Sequence, residues 1–156
     1  MEKILMLHGI NHNMFGHRDK NLYGTATYED INEALKKEAA KLGVEIQIFQ
    51  SNFEGEFVNR VHQAFYDGID AVIVNPGGWT NYTIGVKDAL DILQCPLIEV
   101  HMSNTFRKHG GTVRGDTSML ADGVLIGMGV KVYTLGLQAA VEMIREKKPG
   151  SGRSGA

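Results

Sequence analysis

Asp70-Ala71-Val72-Ile73-Val74-Asn75-Pro76-Gly77-Gly78-Trp79-Thr80-Asn81 is the stretch from which the fold can be read. Its first half is short and almost wholly apolar, with no polar alternation. That pattern marks a strand covered on both faces, as in a parallel sheet. Its second half is a glycine-rich loop at the strand's carboxyl end, where open α/β sheets place their sites.

Working outward, the chain alternates strands with helices. Upstream, Ser51-Asn52-Phe53-Glu54 has the form of a capping box, followed by Phe57, Val61 and Phe65 on one helical face and a stop at Gly68. Val44–Phe49 alternates as a strand. Before it, a helix starts at Thr27-Tyr28-Glu29-Asp30, carries Ile31, Leu35, Ala39 and Leu42, and stops at Gly43. Ile4–Leu7 is the first strand.

Downstream, a helix is expected over 82–93, a strand over 96–100, a polar glycine-rich segment over 105–117, and a short strand over 124–126. A closing amphipathic helix follows over 130–147. Strands separated by helices imply a parallel sheet with right-handed crossovers. Five strands predict a flavodoxin-like three-layer α/β fold with strand order 2-1-3-4-5. The expected division is one domain over 1–147 and a tail over 148–156, whose Pro-Gly-Ser-Gly composition lacks core formers.

That order sets three loops on one rim, those at Asn11, Asn75 and His101. The first, His8 to Gly24, exceeds the roughly 2–6 residues usual between a strand and a helix. It carries Asn11, Asn13, three histidines, Arg18 and Tyr23. A phenol is a poor base near neutrality, but a guanidinium beside it favours the phenolate. Arg18 with Tyr23 is therefore a candidate general base; the plain alternative packs Tyr23 under the loop and leaves Arg18 solvated.

Composition narrows the function. The 156 residues are 43% hydrophobic and 22% charged with a net charge of -2, which suits a globular domain and not a nucleic-acid binder. No apolar run approaches the roughly 20 residues of a membrane span. The expected setting is the cytoplasm: strand one begins right after Glu2-Lys3, and Cys95 is the only cysteine. No cofactor is expected. Gly127-Met128-Gly129 lacks the third glycine of a dinucleotide fingerprint, and no phosphate-loop lysine follows a glycine run. His8, His12, His17 and Asp19 lie too irregularly for a tetrahedral metal site. Lys87 and Lys108 sit in no apolar run that would suit an imine-forming lysine.

Taken together, several pieces resemble one family, the type II 3-dehydroquinate dehydratases, over about residues 3–145. They are Asn11 and Asn13, Gly16-x-Arg18, Tyr23-Gly24, Gln50-Ser51-Asn52-x-Glu54-Gly55-Glu56, Asn75-Pro76-Gly77 and Asp88-Ala89. Ile98-Glu99-Val100-His101-x-Ser103-Asn104 and Gly127-x-Gly129 complete the set. The resemblance implies a flavodoxin-like lyase that eliminates water from 3-dehydroquinate through an enolate, in shikimate-pathway biosynthesis or quinate catabolism. It implies Tyr23 as base, Arg18 as its activator, Asn11 holding a water at the enolate, and His101, oriented by Glu99, as acid. It places the substrate carboxylate on Asn75 and the backbone of Met102 and Ser103, and implies a homododecamer of trimers with Asp88 reaching into a neighbour's site.

The recognition positions depart from the family. Asn81 stands where the family has His, Thr112 and Lys108 where it has Arg, and Phe106 where it has His. Arg114 is the nearest substitute for the missing arginine. His8-Gly9-Ile10 replaces Asn-Gly-Pro, and Asp19-Lys20 replaces Glu-Pro. Two alternatives therefore stand beside the dehydratase: a paralogue doing the same enolate chemistry on another carboxylate or ketone, and a non-catalytic binding protein of the same fold.

Overall fold

The computed structural model describes residues 1–108, 110 and 115–146. Within them five parallel strands form one sheet, in the order β2-β1-β3-β4-β5. They are β1 (Lys3–His8), β2 (Glu45–Gln50), β3 (Ala71–Asn75), β4 (Leu97–His101) and β5 (Gly123–Ile126). The expected order and parallel sense are those observed. The ends of β1, β2, β3 and β4 lie one residue later than the expected runs. The hydrogen-bonded ladder carries on into Gln50, Asn75 and His101, pairing His8 with both Gln50 and Asn75 and His101 with Ile126. Polar side chains thus stand on the last rung of the sheet.

Pleating divides the strand residues between two apolar layers. Ile4, Met6, Ile73, Ile98 and Val100 face the helices α2 (Tyr28–Leu42) and α6 (Lys131–Glu146), where Ile31, Leu35, Val132 and Leu137 meet them. Leu5, Leu7, Val72, Val74 and Leu97 face α3 (Glu54–Asp67) and α4 (Ile84–Ile92), meeting Phe57, Val61, Val86 and Leu90. Burying a side chain of this size contributes roughly 1.5–3 kcal/mol, so these two layers dominate the fold's stability.

The capping box expected at Thr27 is present, with Asp30 N donating to Thr27 Oγ1 (3.1 Å) and Thr27 N to Asp30 Oδ2 (2.9 Å). The one expected at Ser51 is not. Helix α3 begins at Glu54 behind Phe53, which gives no side-chain cap. Ser51 Oγ instead accepts from Phe53 N (2.9 Å) and donates to Glu56 Oε2 (2.6 Å), while Glu54 is taken by the Thr83 hydroxyl. Thr83 caps α4, so that helix starts after Tyr82 and ends at Ile92. The long first loop is not irregular throughout: it holds a 3₁₀ turn at His12–Met14 and a one-turn helix α1 at Lys20–Tyr23. A second short helix, α5, covers Thr105–Lys108. Among the described residues, no helix is long and apolar enough to cross a membrane.

Candidate active site

The carboxyl ends of β1, β3 and β4 close around a cavity of about 270 Å³. What draws the first two loops together is backbone contact. Gly9 N donates to Asn75 O (2.8 Å), and a Cβ on Gly9 would stand 2.3 Å from Pro76 O, so only glycine permits the approach.

The first loop brings Arg18 and Tyr23 to this cavity. Arg18 Nη2 donates to Tyr23 Oη at 3.2 Å, and its guanidinium carbon lies 4.1 Å from the Tyr23 ring centroid. Phe15, buried beneath, packs at 5.9 Å from the Tyr23 ring and 5.7 Å from the same guanidinium. Asp19 caps α1 by accepting from Asn21 N (2.9 Å), and Gly24 ends it at φ 69°. This single capped turn sets the spacing of the Arg–Tyr pair. The packed and the catalytic readings of Tyr23 are therefore not exclusive.

From β4 come Glu99 and His101. Successive odd positions of a strand share a face, so the two side chains meet, with His101 Nε2 2.6 Å from Glu99 Oε1. Ser118 Oγ donates to the same oxygen at 2.5 Å. Burial alone would raise the Glu99 carboxyl; hydrogen bonds from His101 and Ser118 and the imidazole charge outweigh it and hold the group below its usual value. Glu99 is thus a carboxylate, Nε2–H of His101 donates to it, and Nδ1 is the ring nitrogen left for the cavity.

The third contribution is Asn75 at the end of β3. Its Oδ1 accepts from Gly77 N (3.2 Å) and its Nδ2 donates to Tyr133 Oη (2.9 Å) on α6. Burial pushes the Tyr133 phenol up, so it remains a neutral partner.

Of the sequence candidates, Arg18, Tyr23, Asn75, Asn81, His101, Met102 and Ser103 line the cavity, and Glu99 stands directly behind His101. Asn11 does not line it: the residue is exposed, at φ 65°, with its backbone N–H on Asn52 Oδ1 (2.8 Å). Asp88 is exposed on α4, away from the wall. Thr112 and Arg114 lie outside the described residues, as do the side chain of Lys108 and the tail over 148–156.

Phe15, Thr80, Thr105, Ser118 and Ile126 also line it without having been candidates, and so does His12, weighed only as a metal ligand. Thr80 was visible in principle, beside the glycine loop. Of the histidines weighed as metal ligands, His8 and His12 have other partners, although their rings lie 6.2 Å apart. His8 ends β1 fully buried, with Nε2 3.0 Å from Asn32 Oδ1, His12 takes a bond from Gly9, and His17 is exposed.

The sequence model of the family described as Dehydroquinase class II matches residues 2–141. A 3-dehydroquinate dehydratase of Leptothrix cholodnii is 48% identical over 147 residues, covering 94% of this chain and 99% of that protein. One from Pelobacter propionicus is 49% identical over 144 residues, covering 92% and 97%. The crystal structure of a type II dehydroquinase from Propionibacterium acnes superposes with a TM-score of 0.86 at 32% identity, covering 91% of this chain and 97% of that one.

Proposed function

Because this chain belongs to the class II dehydroquinase family, we propose that its cavity binds 3-dehydroquinate and converts it to 3-dehydroshikimate and water. The activity is that of a hydro-lyase. The observation supporting this assignment is the pairing, around one small cavity, of an arginine-bonded phenol with a carboxylate-held imidazole.

The steps follow from those two groups. Tyr23, as phenolate beside Arg18, takes a proton from the carbon next to the substrate ketone. The C–H electron pair becomes the C=C bond of an enolate, and the charge settles on the former ketone oxygen. Collapse of the enolate breaks the C–O bond to the departing hydroxyl. Protonated His101 gives that hydroxyl its Nδ1 proton and returns as a neutral ring still held by Glu99. The proton now on Tyr23 passes back through solvent, and no net charge or electron is left over.

Ser118 adds a second hydrogen bond to Glu99 Oε1, the oxygen that holds His101. The substrate carboxylate rests on Asn75 and the backbone of Met102 and Ser103, with Asn81 among the groups facing the ring hydroxyls. Asn75 enters with its own orientation already set by Tyr133 and Gly77. We place the enzyme in the cytoplasm as a homododecamer of trimers, with Asp88, exposed on α4, turned to a neighbouring protomer's site. Thr112 and Arg114 complete substrate recognition in this reading.

The deciding experiment is ultraviolet detection of 3-dehydroshikimate from 3-dehydroquinate by the purified protein. Steady product formation is expected. Its absence at micromolar enzyme would overturn the assignment.

A further inference from the structure

His12 has no task in the steps above, yet it forms part of the cavity wall. Its ring is stacked on Phe15, with centroids 4.6 Å apart and planes 20° from parallel, and the residue is only 2% exposed. The Gly9 N–H that donates to Asn75 O (2.8 Å) is shared with Nδ1, which lies 3.1 Å from the same nitrogen. A backbone N–H can only donate, so Nδ1 is unprotonated and the neutral ring carries its hydrogen on Nε2. Burial keeps the ring neutral, lowering its pKa well below the ordinary histidine value, and the nearby His8, Arg18 and His101 charges act in the same direction.

Nε2 is therefore a fixed donor, and among the described residues it has no hydrogen-bond partner. It is not sealed in, as Nδ1 of His8 is. It abuts Gly77, another residue of the wall, where φ is 59° and a Cβ would stand 2.6 Å from Nε2. Meanwhile Asn11, the group expected to steady the enolate, is exposed and outside the wall.

Resting on the dehydratase reading, we propose that His12 is a catalytic residue, its Nε2–H donating a hydrogen bond to the ketone oxygen of the substrate as that oxygen becomes an enolate. The imidazole keeps its proton throughout. A neutral donor held in place by Gly9 and Phe15 needs no reorganisation when the charge develops, and that is the source of its effect.

The test compares kcat and KM of wild type, His12→Leu and His12→Gln with 3-dehydroquinate. Leucine keeps an apolar contact with Phe15 and has no donor; glutamine sets an amide N–H at a similar reach. Expected are a fall in kcat of about 10²-fold or more for His12→Leu with KM within about threefold, and recovery of at least about tenfold by His12→Gln. A leucine variant within about threefold of wild-type kcat overturns the proposal. So does equal loss in both variants, or an effect confined to KM. Wild type without turnover sinks the dehydratase reading and this proposal with it, whereas an active wild type isolates His12. Should His12→Leu fail to fold, nitrogen-15 spectra of wild type decide: the His12 Nε2–H resonance must move when 3-dehydroshikimate, which carries the same ketone, is added. An unmoved resonance overturns the role.

Discussion

At Tyr23 and Glu99 the proposed chemistry rests on two oxygens with different histories. Tyr23 Oη is held by Arg18 on a loop, whereas Glu99 is fully buried in the sheet. Tyr23→Phe removes the proposed base and keeps the ring against Phe15, so kcat should drop by about 10²–10⁴-fold while the thermal midpoint hardly moves. A variant keeping more than about a tenth of wild-type turnover excludes Tyr23 as the base. Glu99→Gln retains an acceptor for His101 and loses the charge. Charge-assisted hydrogen bonds are worth about 1.5–3 kcal/mol, so a fall in kcat of roughly ten- to a hundredfold is expected, with KM little changed. Turnover within about threefold of wild type would mean that the carboxylate only fills space. At this scale the sequence was legible where strand order decides position, as for His101 on the rim, while its pairing with Glu99 was carried by the family resemblance. It was silent on Ser118, whose bond to Glu99 spans 19 positions and depends on how the segment before β5 folds back. His12 was weighed only as a metal ligand; its place in the wall comes from a 3₁₀ turn, whose period neither strand nor helix patterning describes.

Among the elements, those that announced themselves were ones whose local chemistry and burial agree. Helix α2 has the reciprocal Thr27–Asp30 cap, an apolar face at Ile31, Leu35 and Ala39, and a left-handed stop at Gly43. Thr27→Ala should cost about 1 kcal/mol, read as a lowered urea midpoint at unchanged slope, with no change in turnover. An unchanged midpoint would show that the helix start is held by tertiary contacts alone. Helix α3 shows the opposite case. Ser51 and Glu54 have capping-box spacing, yet Ser51 is drawn to Glu56 and Glu54 to Thr83, so the helix starts three residues after the serine. Side chains competing for the same short list of partners made that start ambiguous in the sequence. The apolar runs located every strand but missed the last rung of β1 to β4, because His8, Gln50, Asn75 and His101 are polar and belong to the ladder.

Taken whole, the molecule buries a histidine at the centre of its sheet's working edge, and acid should find it. His8 is pushed down to about 4 from an ordinary 6.5 by burial, partly offset by Asn32. Its folded pKa lies below its unfolded one, so the unfolded chain takes up the proton first. Stability is complete above pH 6.5 and is lost as pH falls to about 4. The shift is worth roughly 3 kcal/mol in all. His8→Asn removes this liability, so the urea-unfolding free energy of wild type should fall relative to the variant's by about that amount between pH 7 and pH 4. Parallel curves would show that His8 is protonated without cost in the native state. The bond from Asn75 to Tyr133 has a consequence of another kind, in the order of events during synthesis. These partners lie 58 positions apart, and Tyr133 belongs to the final helix. A growing chain can pair β1 with β3 long before that, but the Asn75 amide must wait for almost the entire protein to leave the ribosome. The Asn75 amide on the cavity wall is therefore among the last groups to be set, and a chain cut short before α6 leaves it without its Tyr133 partner.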